Sequence, residues 1–333
     1  MQSFRIFRKA LGCALLASVL SACIKLPPTV ERDSSIPQIS LQGHRFHVQT
    51  YGSEDAPVLI VLHGGPGADF RYLLNLSVLS DQYRVVFYDQ LGTGLSQRVE
   101  AKDISVDTFV RDLDAVVEHF GRKRKVILLG HSWGAMLASA YLGKYPHKVS
   151  RAVLAEPGFL DADTLKDFQR DELPSFRVIA GFTKAWLGKW RVSTDGDPYA
   201  RDDWFLLQVL PLMQHQNPQC QGEQTAGAEM KAWRFGSPAF QATMGKMMDD
   251  PEWAKTLNLA QGLENFEGKV LFLRGACNTE QGEAYQRKMM SKFSQKSSAR
   301  LVTIEKAGHF MFNDQLEDSI AAVRQFLVED HID

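Results

Sequence analysis

The chain is poor in cysteine: among 333 residues it has only Cys13, Cys23, Cys220 and Cys277. No spacing of cysteines, histidines or carboxylates suits a metal, and no glycine loop of the phosphate-binding kind occurs, so no cofactor is implied. An excess of one charge is also missing. The 38 basic and 39 acidic residues leave a net charge of −1 and are interspersed, which excludes the basic stripe a nucleic-acid binder needs. There is no internal repeat and no low-complexity block. Nor is there a long apolar run, since the stretch Ala10–Leu20 is too short for a comfortable membrane span. What remains is ordinary globular composition, 44% hydrophobic and 23% charged. The length allows one large α/β domain with an insertion, or two domains.

The N-terminus differs from the rest. In "MQSFRIFRKALGCALLASVLSAC", Arg5, Arg8 and Lys9 precede the apolar stretch, the pattern of a secretory signal peptide over residues 1–22. It ends in Leu20-Ser21-Ala22-Cys23, which resembles the bacterial lipobox. That resemblance implies cleavage before Cys23 and lipidation of it. An ordinary signal peptide cut near Ala22, or an anchor helix, is the alternative. Residues 23–37 then read as a polar, Pro-containing lipidated tether. By the same resemblance the protein would face the periplasm of a bacterial envelope. Ile24, rather than aspartate, after the cysteine favours the outer membrane over the inner. Cys220 and Cys277 stay in the mature body, where they either pair or remain two separate thiols.

Six continuous apolar runs follow: "PVLIVLHGG", "YRVVFYDQLG", "RKVILLGHS", "SRAVLAEPG", "GKVLFLRGA" and "ARLVTIEKAGH". Such runs are expected of strands buried on both faces. Helical periodicity lies between them, as in residues 107–121 with Asp107 as N-cap. Alternating strands and helices predict a mostly parallel sheet with helices on both faces. The alternation breaks near Pro157 and resumes near Lys269. The core is thus predicted over 38–157 and 267–333, with a helical cap over 158–266 inserted after the sixth strand. The cap holds five of the six tryptophans, read mainly as its own small core and alternatively as a pocket lining.

The pentapeptide Gly130-His131-Ser132-Trp133-Gly134 stands between one of these strands and a helix. A chance G-x-S-x-G occurs in about one chain in ten of this length, so its context decides. A sharp strand-to-helix turn lifts a serine hydroxyl clear of the sheet, and the helix N-terminus favours developing negative charge. Ser132 is therefore the candidate nucleophile. Upstream, "HGGPG" at 63–67 follows a strand and fits an oxyanion loop, whose backbone donors would be Gly65 and Trp133. His309, on the loop after the last strand, comes in the order nucleophile first and histidine last, and is the candidate base. His131 is expected to point away from the site, and His63 to brace its loop.

Residues from about 38 to 330 resemble the α/β-hydrolase fold, and within it the proline iminopeptidase family. The likeness rests on His63-Gly64-Gly65-Pro66-Gly67, Asp89-Gln90-Leu91-Gly92-Thr93-Gly94-Leu95-Ser96 and the Ser132 pentapeptide. It implies acyl-enzyme catalysis that releases an N-terminal residue from short peptides. A small-ester or amide hydrolase is the alternative, and a non-catalytic binding protein is the reading of another class. The sequence leaves the oligomeric state unknown. Three departures matter. Leu91 stands where the family commonly has arginine. Gly236 falls where the family's cap glutamate holds the substrate amine. Asn278 falls where the triad aspartate belongs, and asparagine carries no charge to stabilise an imidazolium. Glu280 and Glu283 lie close by but would need a reshaped loop. Glu156, ending the strand after the elbow helix, is the predicted acid, with Asn278 as the alternative.

Overall fold

A computed structural model describes residues 24–168, 176–213, 232–279 and 281–328. The signal segment, Cys23, Cys220 and Glu280 lie outside the described residues. Eight strands form one sheet: β1 Gln38–Leu41, β2 His44–Tyr51, β3 Val58–Leu62, β4 Arg84–Tyr88, β5 Val126–His131, β6 Val149–Ala155, β7 Lys269–Gly275 and β8 Ala299–Ile304. Their spatial order is β1-β2-β4-β3-β5-β6-β7-β8. From β4 to β8 every pairing is parallel, and β1 and β2 join antiparallel at one edge.

The central strands read as unbroken apolar runs because alternate residues enter two cores. Ile60, Leu62, Val86, Leu128 and Phe272 face one layer. It is closed by Phe109 and Leu113 of α1 (Val106–Gly121) and by Leu137 and Tyr141 of α2 (Trp133–Lys144). Leu59, Val61, Phe87, Leu129 and Leu271 face the other, against Leu73 and Leu76 and the C-terminal Val323 and Phe326. The N-cap of helix α1 lies two residues earlier than the sequence suggested. It is Ser105, whose hydroxyl accepts from the Thr108 N–H; Asp107 sits within the first turn, where its charge suits the helix dipole.

Between β6 and β7 the described residues form helices and their connections, with one isolated β-bridge at Val192: α3 Ala162–Phe168, α4 Phe176–Gly188, α5 Ala200–Val209, α6 Ser237–Phe240, α7 Lys246–Asp249 and α8 Pro251–Thr256. After β7 come α9 Glu283–Met290, α10 Met311–Asp314 and α11 Leu316–Val328. Two readings need correction. Residues 24–37 are not a free tether, because Thr29 and Val30 are buried and the Val30 N–H donates to Leu95 O at 2.8 Å. Glu31 accepts from the Arg98 N–H at 2.8 Å. Nor do the cap tryptophans share one role. Trp233 stands edge-on to Phe70 and His47 of the core, whereas Trp186 and Trp190 are 53% and 57% exposed.

Candidate active site

Ser132 occupies the turn between β5 and α2 at φ 55° and ψ −120°. A non-glycine residue holds such a backbone only where its surroundings over-determine it, at roughly 1–3 kcal/mol. Two features impose it here. The Ser132 N–H donates to Ala155 O of the neighbouring strand at 2.8 Å. The flanking glycines let backbones meet where no side chain fits: a Cβ on Gly134 would overlap the Leu62 carbonyl, and one on Gly130 the Gly134 carbonyl. A Cβ on Gly64 would lie 2.9 Å from that of Ser132, so the 63–67 loop abuts the serine.

That loop is braced from both sides. His63 Nδ1 donates to Gly64 O at 2.9 Å, and His63 Nε2 accepts from the Gln90 N–H at 3.1 Å. Burial holds the His63 pKa below the usual histidine value, in keeping with this neutral tautomer. The Gln90 side chain donates to His63 O at 2.9 Å and accepts from the Trp133 indole at 2.9 Å. Gln90 thereby locks the loop to the first residue of α2, a connection that the sequence alone does not reveal.

His309 lies on the loop between β8 and α10, its side chain 32% exposed, with Nδ1 3.9 Å from Glu156 Oε2. Glu156 is fully buried and follows β6 directly, at φ 49°. Its N–H donates to Leu273 O of β7 at 2.9 Å. Its Oε1 accepts from the Gly275 N–H at 2.6 Å and its Oε2 from Asn278 Nδ2 at 2.5 Å. Asn278 is thus turned onto Glu156, and its amide aims that carboxylate. Glu283 is engaged elsewhere, in an ion pair with Arg287 at 2.6 Å. Cys277, one residue before Asn278, is disulfide-bonded.

His131 ties two loops together. Its Nδ1 accepts from the Tyr72 hydroxyl at 2.8 Å, and that oxygen accepts from the Gly64 N–H at 2.8 Å. Its Nε2 donates to His309 O at 2.7 Å. Burial, with the neighbouring His309 second, pushes the His131 pKa down to about 3. The ring is therefore a neutral spacer between the glycine loop and the His309 loop.

The cap is fixed by buried charge. Asp203 of α5 accepts from Arg98 Nη2 at 3.0 Å, Arg234 Nε at 2.7 Å and the Ser237 hydroxyl at 2.6 Å. Arg234 also meets Asp197 at 2.6 Å. Beside it, the Gly236 N–H donates to Gly67 O at 2.7 Å, and a Cβ there would overlap the Gly92 carbonyl. No carboxylate could stand at position 236 in this backbone.

Residues 57–315 match the alpha/beta hydrolase fold family. The chain is 34% identical over 140 residues to a proline iminopeptidase of Thermoplasma volcanium, covering 41% of this chain and 48% of that protein. It is 26% identical over 299 residues to a proline iminopeptidase of Lactobacillus helveticus, covering 87% of this chain and 96% of that one. The chain thus spans about half the length of the first and nearly all of the second. The crystal structure of a proline iminopeptidase from Mycobacterium smegmatis matches with a TM-score of 0.57 at 20% identity, over 88% of this chain and 97% of that one. At that identity the likeness is one of fold.

Proposed function

Because the chain belongs to the alpha/beta hydrolase family, we propose that it is a serine hydrolase working through an acyl-enzyme on Ser132. The observation that carries this reading is the buried Glu156 carboxylate, 3.9 Å from His309 Nδ1 at the end of the strand beside the elbow. Catalytic hydrogen bonds are commonly long before substrate binds and tighten in the complex. In the reaction, Ser132 Oγ attacks a carbonyl carbon and His309 Nε2 takes its proton. Glu156 holds the Nδ1–H and stabilises the imidazolium. His309 returns the proton to the leaving group, and water, deprotonated by the same nitrogen, then releases the acid and frees the serine.

The oxyanion is assigned to the Gly65 and Trp133 N–H groups. The Gly64 N–H is already given to Tyr72, and Trp133 opens α2, where an N–H has no partner within the helix. Fixed donors of this kind contribute about 3–4 kcal/mol each to the transition state.

The relatives support a substrate with a free N-terminal residue, proline among the candidates. The crowding at Gly236 favours a second reading, a small ester or amide without an anchored amine. A panel of aminoacyl arylamides and short-chain esters separates them. Prolyl arylamide turned over at least a hundredfold faster than any ester supports the peptidase. The reverse order establishes the esterase.

A further inference from the structure

The outer face of α4 is apolar where a surface helix should be polar. Ile179, Trp186, Leu187 and Trp190, the last in the turn Lys189–Arg191, are 51%, 53%, 60% and 57% exposed. At about 100° per residue these positions fall within a single arc of roughly 100°. The opposite side of the helix carries buried Ala185 and meets Leu206 and Val209 of α5. The helix thus carries large apolar side chains on both sides; within the outer arc Thr183 is also exposed, its hydroxyl turned back onto the Ile179 carbonyl at 3.0 Å. Cations lie at the edge of the outer face: Arg201 is 5.0 Å and Lys189, paired with Asp202 at 3.3 Å, is 5.6 Å from the Trp190 ring, and Lys184 is exposed on the same helix. Exposed tryptophans ringed by lysine and arginine are the chemistry of a surface that sits at a lipid–water boundary.

A second observation says which surface covers it. The Ile24 N–H donates to Arg191 O and Ile24 O accepts from the Ser193 N–H, both at 2.9 Å, so Ile24 pairs with Val192. Residue 23 precedes that pairing directly, and Val192 is two residues from Trp190, at most about 7 Å along the chain. A lipid on Cys23 would leave the protein beside the tryptophans. We propose that the Ile179–Trp186–Leu187–Trp190 face is a membrane-docking surface, seated in the headgroup layer of the phospholipid bilayer that anchors Cys23. Two acyl chains on Cys23 would anchor the protein stably without fixing how it sits on the bilayer, and an apolar face next to the anchor adds the contact that fixes orientation.

The test uses the full chain, produced with its leader and reconstituted into vesicles of phosphatidylethanolamine and phosphatidylglycerol with brominated acyl chains. Bromine quenches tryptophan emission only at contact range. Emission is expected to fall relative to unbrominated vesicles, and the fall should shrink at least threefold in the Trp186→Phe/Trp190→Phe variant, which keeps the face apolar. The mass of the N-terminal peptide reports separately on lipidation. If Cys23 carries no lipid, the same quenching on added vesicles still supports the surface. Equal emission in both vesicle types overturns it, whether or not the lipid is present. A stable dimer without quenching also overturns it and assigns the face to a second copy of the chain.

Discussion

Replacing Glu156 with glutamine changes one oxygen for one nitrogen at a site where every neighbour is a donor. Oε1 would keep the Gly275 N–H, now 2.6 Å away, so the new amide nitrogen takes the place of Oε2. There it meets Asn278 Nδ2, donor against donor at 2.5 Å. It also offers His309 Nδ1 a proton where it must accept one. His309 then carries its proton on Nε2, the atom that has to accept from Ser132. The corresponding aspartate-to-asparagine change in a serine protease lowers turnover about 10⁴-fold, or about 5.5 kcal/mol of barrier. The crowded donors should cost about 1–3 kcal/mol of stability, partly offset by the loss of a buried charge. The expected outcome is turnover reduced at least 10³-fold in a protein that still unfolds cooperatively. Adding Asn278→Asp should restore at least tenfold, because it returns both an acceptor and a carboxylate. Steady-state turnover on the best substrate of the panel, with urea midpoints, provides the check. A folded Glu156→Gln enzyme within tenfold of wild type would refute the assignment of the acid.

The buried rings and ions make further claims. His131 is held near a pKa of 3 by burial, against about 6.5 in an unfolded chain, so between these values the unfolded state binds the extra proton. Its neutral form therefore supports the fold fully above about pH 6.5 and loses that contribution as pH falls toward 3, at about 1.4 kcal/mol per unit. The urea stability of wild type minus that of His131→Gln should shrink by about 2–3 kcal/mol between pH 7 and pH 4.5; a constant difference contradicts this. Asp203→Asn leaves Arg98 and Arg234 without the carboxylate at 3.0 and 2.7 Å. Breaking a buried pair from one side costs about 3–5 kcal/mol, so scanning calorimetry should show Tm lowered by more than about 5 °C. A Tm within a degree of wild type would mean that the two arginines find other partners.

The central sheet and the elbow were legible because their chemistry is local. Strands buried on both faces must be apolar throughout, and a turn as sharp as that at Ser132 needs small neighbours. The edge strands β1 and β2 are not marked by apolar runs, because "QISLQGHRFHVQTY" mixes polar and apolar residues, as a part-exposed hairpin does. Only its turn, Gln42-Gly43 at φ 52° and 81°, carries a cue. Long-range partners were illegible for a different reason. That Gln90 would reach Trp133, that Tyr72 would reach His131, or that Asp203 would draw in Arg98 across 105 positions depends on topology, which no short stretch encodes. Asn278 lies between these cases. The sequence shows that a charge is absent there, whereas its service to Glu156 appears only when β6 and β7 stand side by side. The exposed tryptophans of α4 belong with it, since residue type suggests a core and only the fold shows which face is left open.

The most direct measurement of the central claim is covalent labelling of the folded protein by a fluorophosphonate, read by mass spectrometry of the peptide that carries Ser132. The account requires one adduct, on Ser132, absent from Ser132→Ala and strongly slowed in Glu156→Gln. A folded protein that takes up no label, or takes it up elsewhere, would contradict the account and leave a binding protein on a hydrolase fold.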